Sequence, residues 1–427
     1  MKSVASTKGP PSGDIIFYSA LGLSCFMLGL AFLVDTPAEI IQGFWKILSS
    51  PAGLISDSIL VGGLGAAFFN SGLVVLYSTL LIRFSKVPFS GISIACLFLM
   101  GGFSMFGKDI WNIQPFILGG WLYSKYQEEP FSRYIYTTLF ATSLSPVASE
   151  ISNKLEGPSV LVIPVLIGAI IGFLLPPIAV FSVRAHQGYS LYNVGFASGL
   201  LGMVFASICK GFGYEFQTQI KWSTGNTFVL SIWLSILFSC MIVIGLYWTP
   251  DWKKYPRVFR HSGRLIADFI LLDGVGLSFI NMGIVGFIGL GSILLIGSEI
   301  NGPTIGGIFA MCGFAAFGKH PKNILPVMLG VILSSWVMVH NLQMPSVVLA
   351  LLFSTGLAPI AGQFGWKWGI VAGIVHSCVV LNLGGLHGWM NLYNNGFSTG
   401  LTCIVLVPLI ESIRNHTDTE RKNHETF

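Results

Sequence analysis

Apolar runs of helix-spanning length follow one another along almost the whole chain. A membrane-crossing helix needs about 20 consecutive apolar residues. Polar stretches are confined to the two ends and to residues 249–264. The pattern predicts an all-α integral membrane protein of about fourteen transmembrane segments. Seven runs fall in each half of the sequence: 14–34, 54–84, 88–107, 111–126, 131–147, 159–183 and 190–210, then 227–248, 265–298, 302–318, 323–339, 345–361, 366–386 and 391–411.

The two halves carry the same pattern because the chain contains an internal duplication. The string LYNVGFASGL at 191–200 returns at 392–401 as LYNNGFSTGL. At a constant offset of 211 residues, FFNSG at 68–72 meets FINMG at 279–283, and FGK at 106–108 meets FGK at 317–319. Self-similarity of this kind marks the structural unit. It predicts five regions: a cytoplasmic tail at 1–12, a first membrane repeat at 13–211, a linker at 212–224, a second membrane repeat at 225–413 and a cytoplasmic tail at 414–427.

Basic residues indicate how the two repeats are oriented, because cytoplasmic loops are enriched in Lys and Arg. With seven crossings per repeat and the N-terminus inside, 18 of the 23 basic residues fall on the cytoplasmic side. Treating 131–147 and 345–361 as re-entrant changes the division to 13 against 10. Seven crossings turn the second repeat upside down. We therefore expect two inverted seven-helix repeats with broken helices, in the cytoplasmic membrane, with both termini inside; whether 131–147 and 345–361 span completely stays open.

Composition agrees with a membrane protein and narrows the function. The chain is 53% hydrophobic and 10% charged, against about 25% charged in soluble domains. We attribute the net charge of +5 to cytoplasmic loops and expect no nucleic-acid partner. The seven cysteines lie in apolar runs without a Cys-x-x-Cys spacing, so neither a metal nor a disulfide framework is expected. The first run is long and lacks an Ala-x-Ala site, which predicts a retained helix rather than a signal peptide.

The function class follows from the repeats. Inverted repeats are typical of secondary transporters, whose solute site forms near the membrane midplane where matched broken helices meet. We expect transport of a small polar or anionic solute by alternating access. An uncoupled channel or facilitator is the alternative, and a non-transporting scaffold is the third interpretation, because a fold does not dictate a function. A homo-oligomer is compatible with all three. No metalloprotease, Walker or nucleophile-elbow motif occurs, so we expect neither an enzyme nor a cofactor.

The first candidate solute-binding residues are matched Asn-x-Gly strings. Segments 54–84 and 265–298 exceed the length of one straight span, and each carries such a string near its middle. Because Asn needs hydrogen bonds in a membrane and Gly weakens a helix, a matched break is predicted there. The alternative is a tilted helix in which Gly allows close packing and Asn bonds across helices. The residues are Asn70, Gly72, Asn281 and Gly283.

The second candidates lie in the Tyr-Asn-x-Gly-Phe strings that open the last run of each repeat. Asn is a good helix N-cap, Gly lets a backbone approach closely, and a helix N-terminus attracts anions. The alternative is a pair of ordinary capped helix starts, with His186 and His387 in loops. The residues are Asn193, Gly195, Asn394 and Gly396.

Two ionisable residues without a matching partner in the other repeat are candidates for proton coupling. Asp273 and His376 lie in apolar runs, where ionisable groups are costly and often functional. An unpaired buried carboxylate or imidazole can change charge when its environment changes. The matched Asp57 and Asp268 are explained by helix N-termini, and Lys108 and Lys319 by helix C-termini.

The duplicated FGK, Asn-x-Gly and Tyr-Asn-x-Gly-Phe strings resemble those of a family of bacterial and archaeal polytopic membrane proteins, known as a domain of unknown function. The resemblance covers essentially the whole chain and implies no activity. More distantly, the layout is similar to that of the nucleobase and the sulfate or bicarbonate transporters. Those families place short half-helices at their third and tenth segments, here 88–107 and 302–318. Urea transporters, with two inverted halves, are a looser comparison.

Overall fold

The computed structural model describes residues 12–214, 216, 220–249 and 251–425, the last nine of them by their backbone only. This part of the chain is almost entirely helical. Among its helices, eight are long and apolar enough to cross a membrane, and several shorter apolar helices accompany them. The molecule is therefore built as a multi-pass membrane protein. The predicted N-terminal tail through residue 11, with Lys2 and Lys8, lies outside the described residues.

The helices follow the predicted apolar runs, with shorter pieces between them. Six short 3₁₀ helices of the described chain cover Phe131–Arg133, Thr142–Leu144, Trp252–Arg260, Phe314–Ala316, Ser354–Leu357 and Gly384–His387. The α-helices are α1 (Ser12–Val34), α2 (Pro37–Ser49), α3 (Ser58–Gly62), α4 (Leu64–Phe84), α5 (Gly91–Ser104), α6 (Gln114–Tyr126), α7 (Ile135–Ala141), α8 (Pro146–Ser152), α9 (Ser159–Ala185), α10 (Asn193–Gly211), α11 (Thr227–Trp248), α12 (Phe269–Asp273), α13 (Val275–Leu295), α14 (Gly302–Gly313), α15 (Pro321–Val337), α16 (Pro345–Phe353), α17 (Ala358–Phe364), α18 (Trp366–Val380) and α19 (Asn394–Glu425).

Helix α2 was not among the predicted runs, although its start is clearly encoded. Thr36 is the N-cap, Pro37 follows at the first helical position, and Glu39 completes a capping box with Thr36. The loop expected at 249–264 is likewise partly a 3₁₀ helix, Trp252–Arg260. Both elements are too short to cross a membrane, and polar residues interrupt them, so a search for long apolar runs does not detect them.

The predicted helix breaks exist, but their predicted position at the Asn-x-Gly strings is wrong. The chain breaks between α3 and α4 at Gly63, and between α12 and α13 at Gly274, with φ angles of 91° and 89°. Only glycine adopts such angles at little cost. Asn70 and Asn281 lie inside the continuous helices α4 and α13. Their helices are not interrupted because the amide groups bond across to a neighbouring segment.

Helices α5 and α14 occupy equivalent positions in the duplication and lie side by side in opposite directions. A Cβ atom on Gly91, at the start of α5, would stand 2.4 Å from the carbonyl oxygen of Ala316, just after α14. A Cβ on Gly302, at the start of α14, would stand 2.2 Å from the carbonyl oxygen of Met105. Helices α5 and α14 have 14 and 12 residues, so both are short, as expected for segments 88–107 and 302–318.

Segments 131–152 and 345–364 are each divided into two α-helices by a 3₁₀ turn. Each turn receives the start of the Tyr-Asn string from the other half of the chain. The Leu392 amide donates to the Ser143 carbonyl, and the Leu191 amide donates to the Gly356 carbonyl, both at 3.0 Å. The two halves are thus joined by exchanged, equivalent hydrogen bonds.

The linker forms the small sheet of the described structure. Strand β1 (Ile55–Ser56) pairs in parallel with strand β2 (Ile220–Lys221). The Ser223 amide donates to the Asp57 carboxylate at 2.9 Å, and the Ser223 carbonyl accepts from the Asn301 side chain at 3.1 Å. This contact covers the start of α3 with a segment that the duplication does not repeat.

Candidate functional site

The two Tyr-Asn-x-Gly-Phe strings face each other. The rings of Tyr192 and Tyr393 have centroids 4.8 Å apart, and both side chains are almost fully buried. A Cβ atom on Gly195 would stand 3.0 Å from the Cα of Gly396, so only hydrogen at both positions permits this approach. Helices α10 and α19 therefore start in direct contact, and the strings lie at the junction of the two halves.

The histidines before these strings are both buried: His186 lies in the turn after α9, as the loop interpretation had it, whereas His387 ends a 3₁₀ helix. His186 bonds the Asn193 side-chain oxygen at 2.9 Å, and His387 bonds that of Asn394 at 2.8 Å. The Asn193 amide nitrogen donates to the Ala179 carbonyl at 3.0 Å, and Asn394 makes the equivalent bond. The prediction that these Asn side chains cap helices is therefore wrong. Each amide is held on both sides and fixes the adjacent tyrosine.

The Asn-x-Gly strings hold the loops that carry the FGK lysines. The Asn70 amide nitrogen donates to the carbonyl oxygens of Ser104 and Lys108 at 2.9 and 2.8 Å. Asn281 donates equivalently to Ala315 and Lys319, both at 2.7 Å. Both Asn side chains are fully buried. Their direct contacts therefore position the lysine loops.

Gly72 and Gly283 serve close helix packing. A Cβ on Gly72 would stand 2.8 Å from the Leu28 side chain of α1, and one on Gly283 would stand 2.7 Å from the Phe238 carbonyl of α11. The Ser24 hydroxyl of α1 also donates to the Gly72 carbonyl at 2.8 Å. These glycines let α1 and α11 approach α4 and α13, which is the packing interpretation of the strings.

The FGK lysines are buried residues that the sequence interpretation undervalued. Lys108 is 1% exposed and Lys319 is 0% exposed, and both lie in loops beyond helix ends. Gly107 and Gly318, with φ angles of 94° and 114°, turn the chain just before each lysine. A favourable position at a helix C-terminus does not explain complete burial. The matched FGK strings were the available signal.

The two lysine side chains have unequal partners. The Lys319 ammonium donates to the Tyr192 hydroxyl at 2.5 Å and to the Ala310 carbonyl at 3.1 Å. The Lys108 ammonium reaches the Met100 sulfur at 3.4 Å, a weak acceptor, and lies 5.0 Å from the centroid of the Phe103 ring. Lys108, Lys319, Tyr192 and Tyr393 are called the central cluster below.

The central cluster concentrates two buried lysine amines and unused hydrogen-bonding capacity. Within the described residues, the ion pairs found do not involve Lys108 or Lys319. The Tyr393 hydroxyl is buried without a hydrogen-bond partner in the same part of the chain. Burying a charge or a hydroxyl without a partner is costly. Such a cost persists in membrane proteins mainly where the group has a function.

Asp57 and Asp268 cap their own helices, as expected, and also bind the start of the equivalent helix in the other half. The Asp57 carboxylate accepts from the Ile59 amide at 2.9 Å and from the Gly302 amide at 3.2 Å. Asp268 accepts from the Ile270 amide at 3.0 Å and from the Gly91 amide at 2.9 Å. The exchange places the ends of α5 and α14 against α12 and α3.

The two coupling candidates are hydrogen-bonded, so the description of either as an unpaired buried group is wrong. The Asp273 carboxylate bonds His261 at 2.7 Å at the end of α12. His376 in α18 bonds the Asn395 side chain at 3.2 Å and the Ser398 hydroxyl at 3.0 Å. Neither residue belongs to the central cluster.

A cavity of about 170 Å³ adjoins the central cluster. Both cluster tyrosines line it, together with Asn193. A larger, almost wholly apolar cavity of about 550 Å³ between α1, α5, α11 and α13 contains no cluster residue. The remaining lining of the smaller cavity is mostly apolar: Ile92, Tyr136, Thr137, Phe140, Val183, Leu191, Val194, Leu265, Ile266, Phe314 and Phe317.

Comparison with protein families gives one match. The family model described as protein of unknown function (DUF1576) matches residues 36–211 and 250–412. The chain belongs to this family. Comparisons with curated proteins and with solved structures gave no match. In this DUF1576 protein, the two matched stretches include both copies of every string that builds the central cluster.

Lysine amines and tyrosine hydroxyls are groups that can bind an anion. An ammonium in an apolar interior strongly favours a negative partner, since solvent is not there to compensate its charge. The unpartnered Tyr393 hydroxyl adds a neutral donor that can bond the same anion. The neighbouring cavity provides space for the rest of a small molecule.

Proposed function

We propose that this protein is a membrane transporter for a small anionic solute, which binds at the central cluster. The observation that carries the proposal is the pair of buried lysines at equivalent positions beside two facing tyrosines that line a cavity. Lys319 donates to Tyr192, and Lys108 lies over the ring of Phe103, which contacts Tyr393. A bound anion would supply the compensating charge that the described residues do not bring within ion-pair distance of either lysine.

The proposed architecture has two inverted seven-helix repeats, at 13–211 and 225–413, within the cytoplasmic membrane. The opposite directions of α5 and α14 support it, because inversion makes equivalent helices antiparallel across the repeat axis. The exchanged bonds of Asp57 and Asp268 support it as well. The distribution of basic residues supports a cytoplasmic position for both termini.

Alternating access is the proposed mechanism. The cavity reaches Leu265 and Ile266, next to Arg264 on the side assigned to the cytoplasm. At the equivalent position of the first repeat, Ile55 is covered by strand β2. A site open toward one side and covered on the other favours alternating access over the continuous pore of an uncoupled channel.

The experiment is solute counterflow in vesicles containing the purified protein. The probes are labelled acetate, benzoate, bicarbonate, sulfate and urea. The wild type is expected to exchange at least one anion, and Lys319→Met is expected to abolish that exchange. Lys367→Met is the matched control, because Lys367 is exposed and lies outside the cluster.

Three patterns of exchange would overturn the proposal, and so would the absence of exchange. The first is anion flux without counterflow, which indicates a channel. The second is exchange of urea alone. The third is wild-type exchange by a correctly folded Lys319→Met variant. The absence of exchange with every probe would favour the scaffold interpretation and would also count against transport.

A further inference from the structure

The residues that line the cavity of about 170 Å³ restrict the chemical class of the solute. We infer that the transported anion is a small organic monocarboxylate whose hydrocarbon part occupies this cavity. The inference rests on the proposed function and specifies its substrate class. It is carried by the cavity's volume, its apolar lining and the buried, unpartnered hydroxyl of Tyr393, one of its lining residues.

The donors are concentrated at the cluster. The Tyr192 hydroxyl is already bonded to the Lys319 ammonium, so an anion at this hydroxyl is also close to a positive charge. The Tyr393 hydroxyl is buried and has no partner within the described residues. A carboxylate oxygen is a strong acceptor that would satisfy such a donor. The orphaned hydroxyl thus indicates an acceptor from outside the chain.

The rest of the lining offers little to a second polar group. The Asn193 amide is bonded on both sides, and the Tyr136 hydroxyl is bonded to Ser93 at 2.6 Å. Apart from the two tyrosines of the cluster, this leaves Thr137 as the lining polar side chain for which the described structure shows no side-chain hydrogen bond. A solute with a second charge or several hydroxyls would lose hydration without replacement. Sugars, dicarboxylates and sulfate are therefore disfavoured.

The volume sets the size of the hydrocarbon part. An apolar cavity of about 150 Å³ accommodates one benzene molecule. The cavity of about 170 Å³ therefore suits a branched chain or a single ring. Burying one further methylene group strengthens binding by roughly fourfold. The affinity should consequently rise with hydrocarbon size until the cavity is full.

The test measures binding and counterflow of a graded series with the full chain. The probes are acetate, isobutyrate, benzoate and 2-naphthoate, with bicarbonate and sulfate as inorganic anions and benzamide as a neutral analogue. The affinity is expected to increase from acetate to benzoate and to fall for 2-naphthoate. Benzamide is expected to bind at least about 100-fold more weakly than benzoate, because it has no charge for Lys319.

Two variants connect the series to the cavity. Ile92→Phe should reduce benzoate affinity by at least about tenfold while leaving acetate affinity almost unchanged, since it narrows the cavity. Tyr393→Phe should weaken all carboxylates by about tenfold, the effect of one lost hydrogen bond to a charged group. Thermal unfolding without any probe checks that each variant is folded.

The possible failures are distinguishable. If bicarbonate or sulfate binds and exchanges better than benzoate, the substrate class is wrong and anion transport still stands. If affinity does not depend on hydrocarbon size, or Ile92→Phe weakens acetate and benzoate equally, the cavity is not the site. If none of the anions exchanges, the proposed function fails with it.

Discussion

The Lys319 side and the Lys108 side of the molecule are built from matching residues but differ in closure. On the Lys319 side, Ile266 is 85% exposed at the mouth of the cavity. Its equivalent on the Lys108 side, Ile55, is 5% exposed beneath strand β2. The strand belongs to the linker, which has no second copy. The comparison teaches that a duplicated chain becomes asymmetric through the one segment that is not duplicated.

The two lysines also differ in their hydrogen bonding, and the Lys319 side is again the one connected to the cavity. Lys319 shares a hydrogen bond with a cavity-lining tyrosine, whereas Lys108 reaches a thioether sulfur. The residues that follow also differ, since Asp109 stands where the second repeat has His320. We expect the Lys319 side to hold the solute in this conformation and the Lys108 side to hold it after closure and reopening.

The largest expected difference is in solute affinity after removal of each lysine. Lys319→Met should weaken benzoate binding by about 100-fold, because truncating one partner of a buried charged contact costs about 2–5 kcal/mol. Lys108→Met should weaken it by less than about tenfold, measured by titration of the purified protein. Equal losses in both variants would contradict the unequal roles.

The same lysine variants should keep or gain stability without solute. Replacing a buried charge by an apolar side chain of similar length is often neutral or stabilising. Thermal unfolding of Lys319→Met and Lys108→Met should therefore occur at or above the wild-type temperature. Marked destabilisation of both variants would indicate that the lysines are structural.

The Tyr192→Phe and Tyr393→Phe variants should differ in their free energy of unfolding, although the two substitutions change the packing equally. Tyr192→Phe removes the acceptor of Lys319 and is expected to cost about 1–3 kcal/mol of unfolding free energy. Tyr393→Phe removes a hydroxyl without a partner in the described structure, so its cost should be close to zero. Chemical unfolding in detergent, without solute, measures both. The reverse order would mean that the tyrosine assignments are exchanged.

The smallest expected difference concerns the two Asn residues that hold the lysine loops. Asn281 also accepts from the Tyr255 hydroxyl at 3.0 Å, whereas the Asn70 oxygen has no partner in the described part of the chain. Asn281→Ala should cost about 1 kcal/mol more stability than Asn70→Ala. Asn281→Ala should also weaken benzoate binding more than it weakens folding, because it releases the Lys319 loop. Equal stability costs in the two variants, together with unchanged benzoate binding, would show that Asn281 does not position the Lys319 loop.

Much of the helical layout could be predicted from the sequence, because apolar runs and matched strings can be recognised without knowledge of packing. The exact breaks could not be predicted from Asn70 and Asn281, since their amides are satisfied by distant carbonyls. The matched Gly-x-Gly strings, at 63–65 and 274–276, were the better local signal, because Gly63 and Gly274 lie at the breaks.

The candidate site could be predicted only in part. The repeated Tyr-Asn strings pointed to the junction, where Gly195 and Gly396 now meet. The lysines were passed over because a helix terminus offers a local explanation for Lys108 and Lys319. The burial of these lysines depends on the turns of the chain at Gly107 and Gly318, and on contacts with residues far away in the sequence. A single sequence contains the residues of such a contact but does not show that they contact each other in the fold.

The most direct test of alternating exposure is the labelling of Ile266→Cys and Ile55→Cys. Each is placed in a version without the seven native cysteines and treated with an impermeant maleimide in oriented vesicles. Ile266→Cys should react from the cytoplasmic side, and Ile55→Cys slowly from the outer side. Adding Ser223→Ala, which removes the hydroxyl that donates to the Asp57 carboxylate and so weakens the linker contact, should speed the second reaction and slow the first. Reaction of both cysteines from the same side, or a simultaneous increase of both rates, would contradict the account.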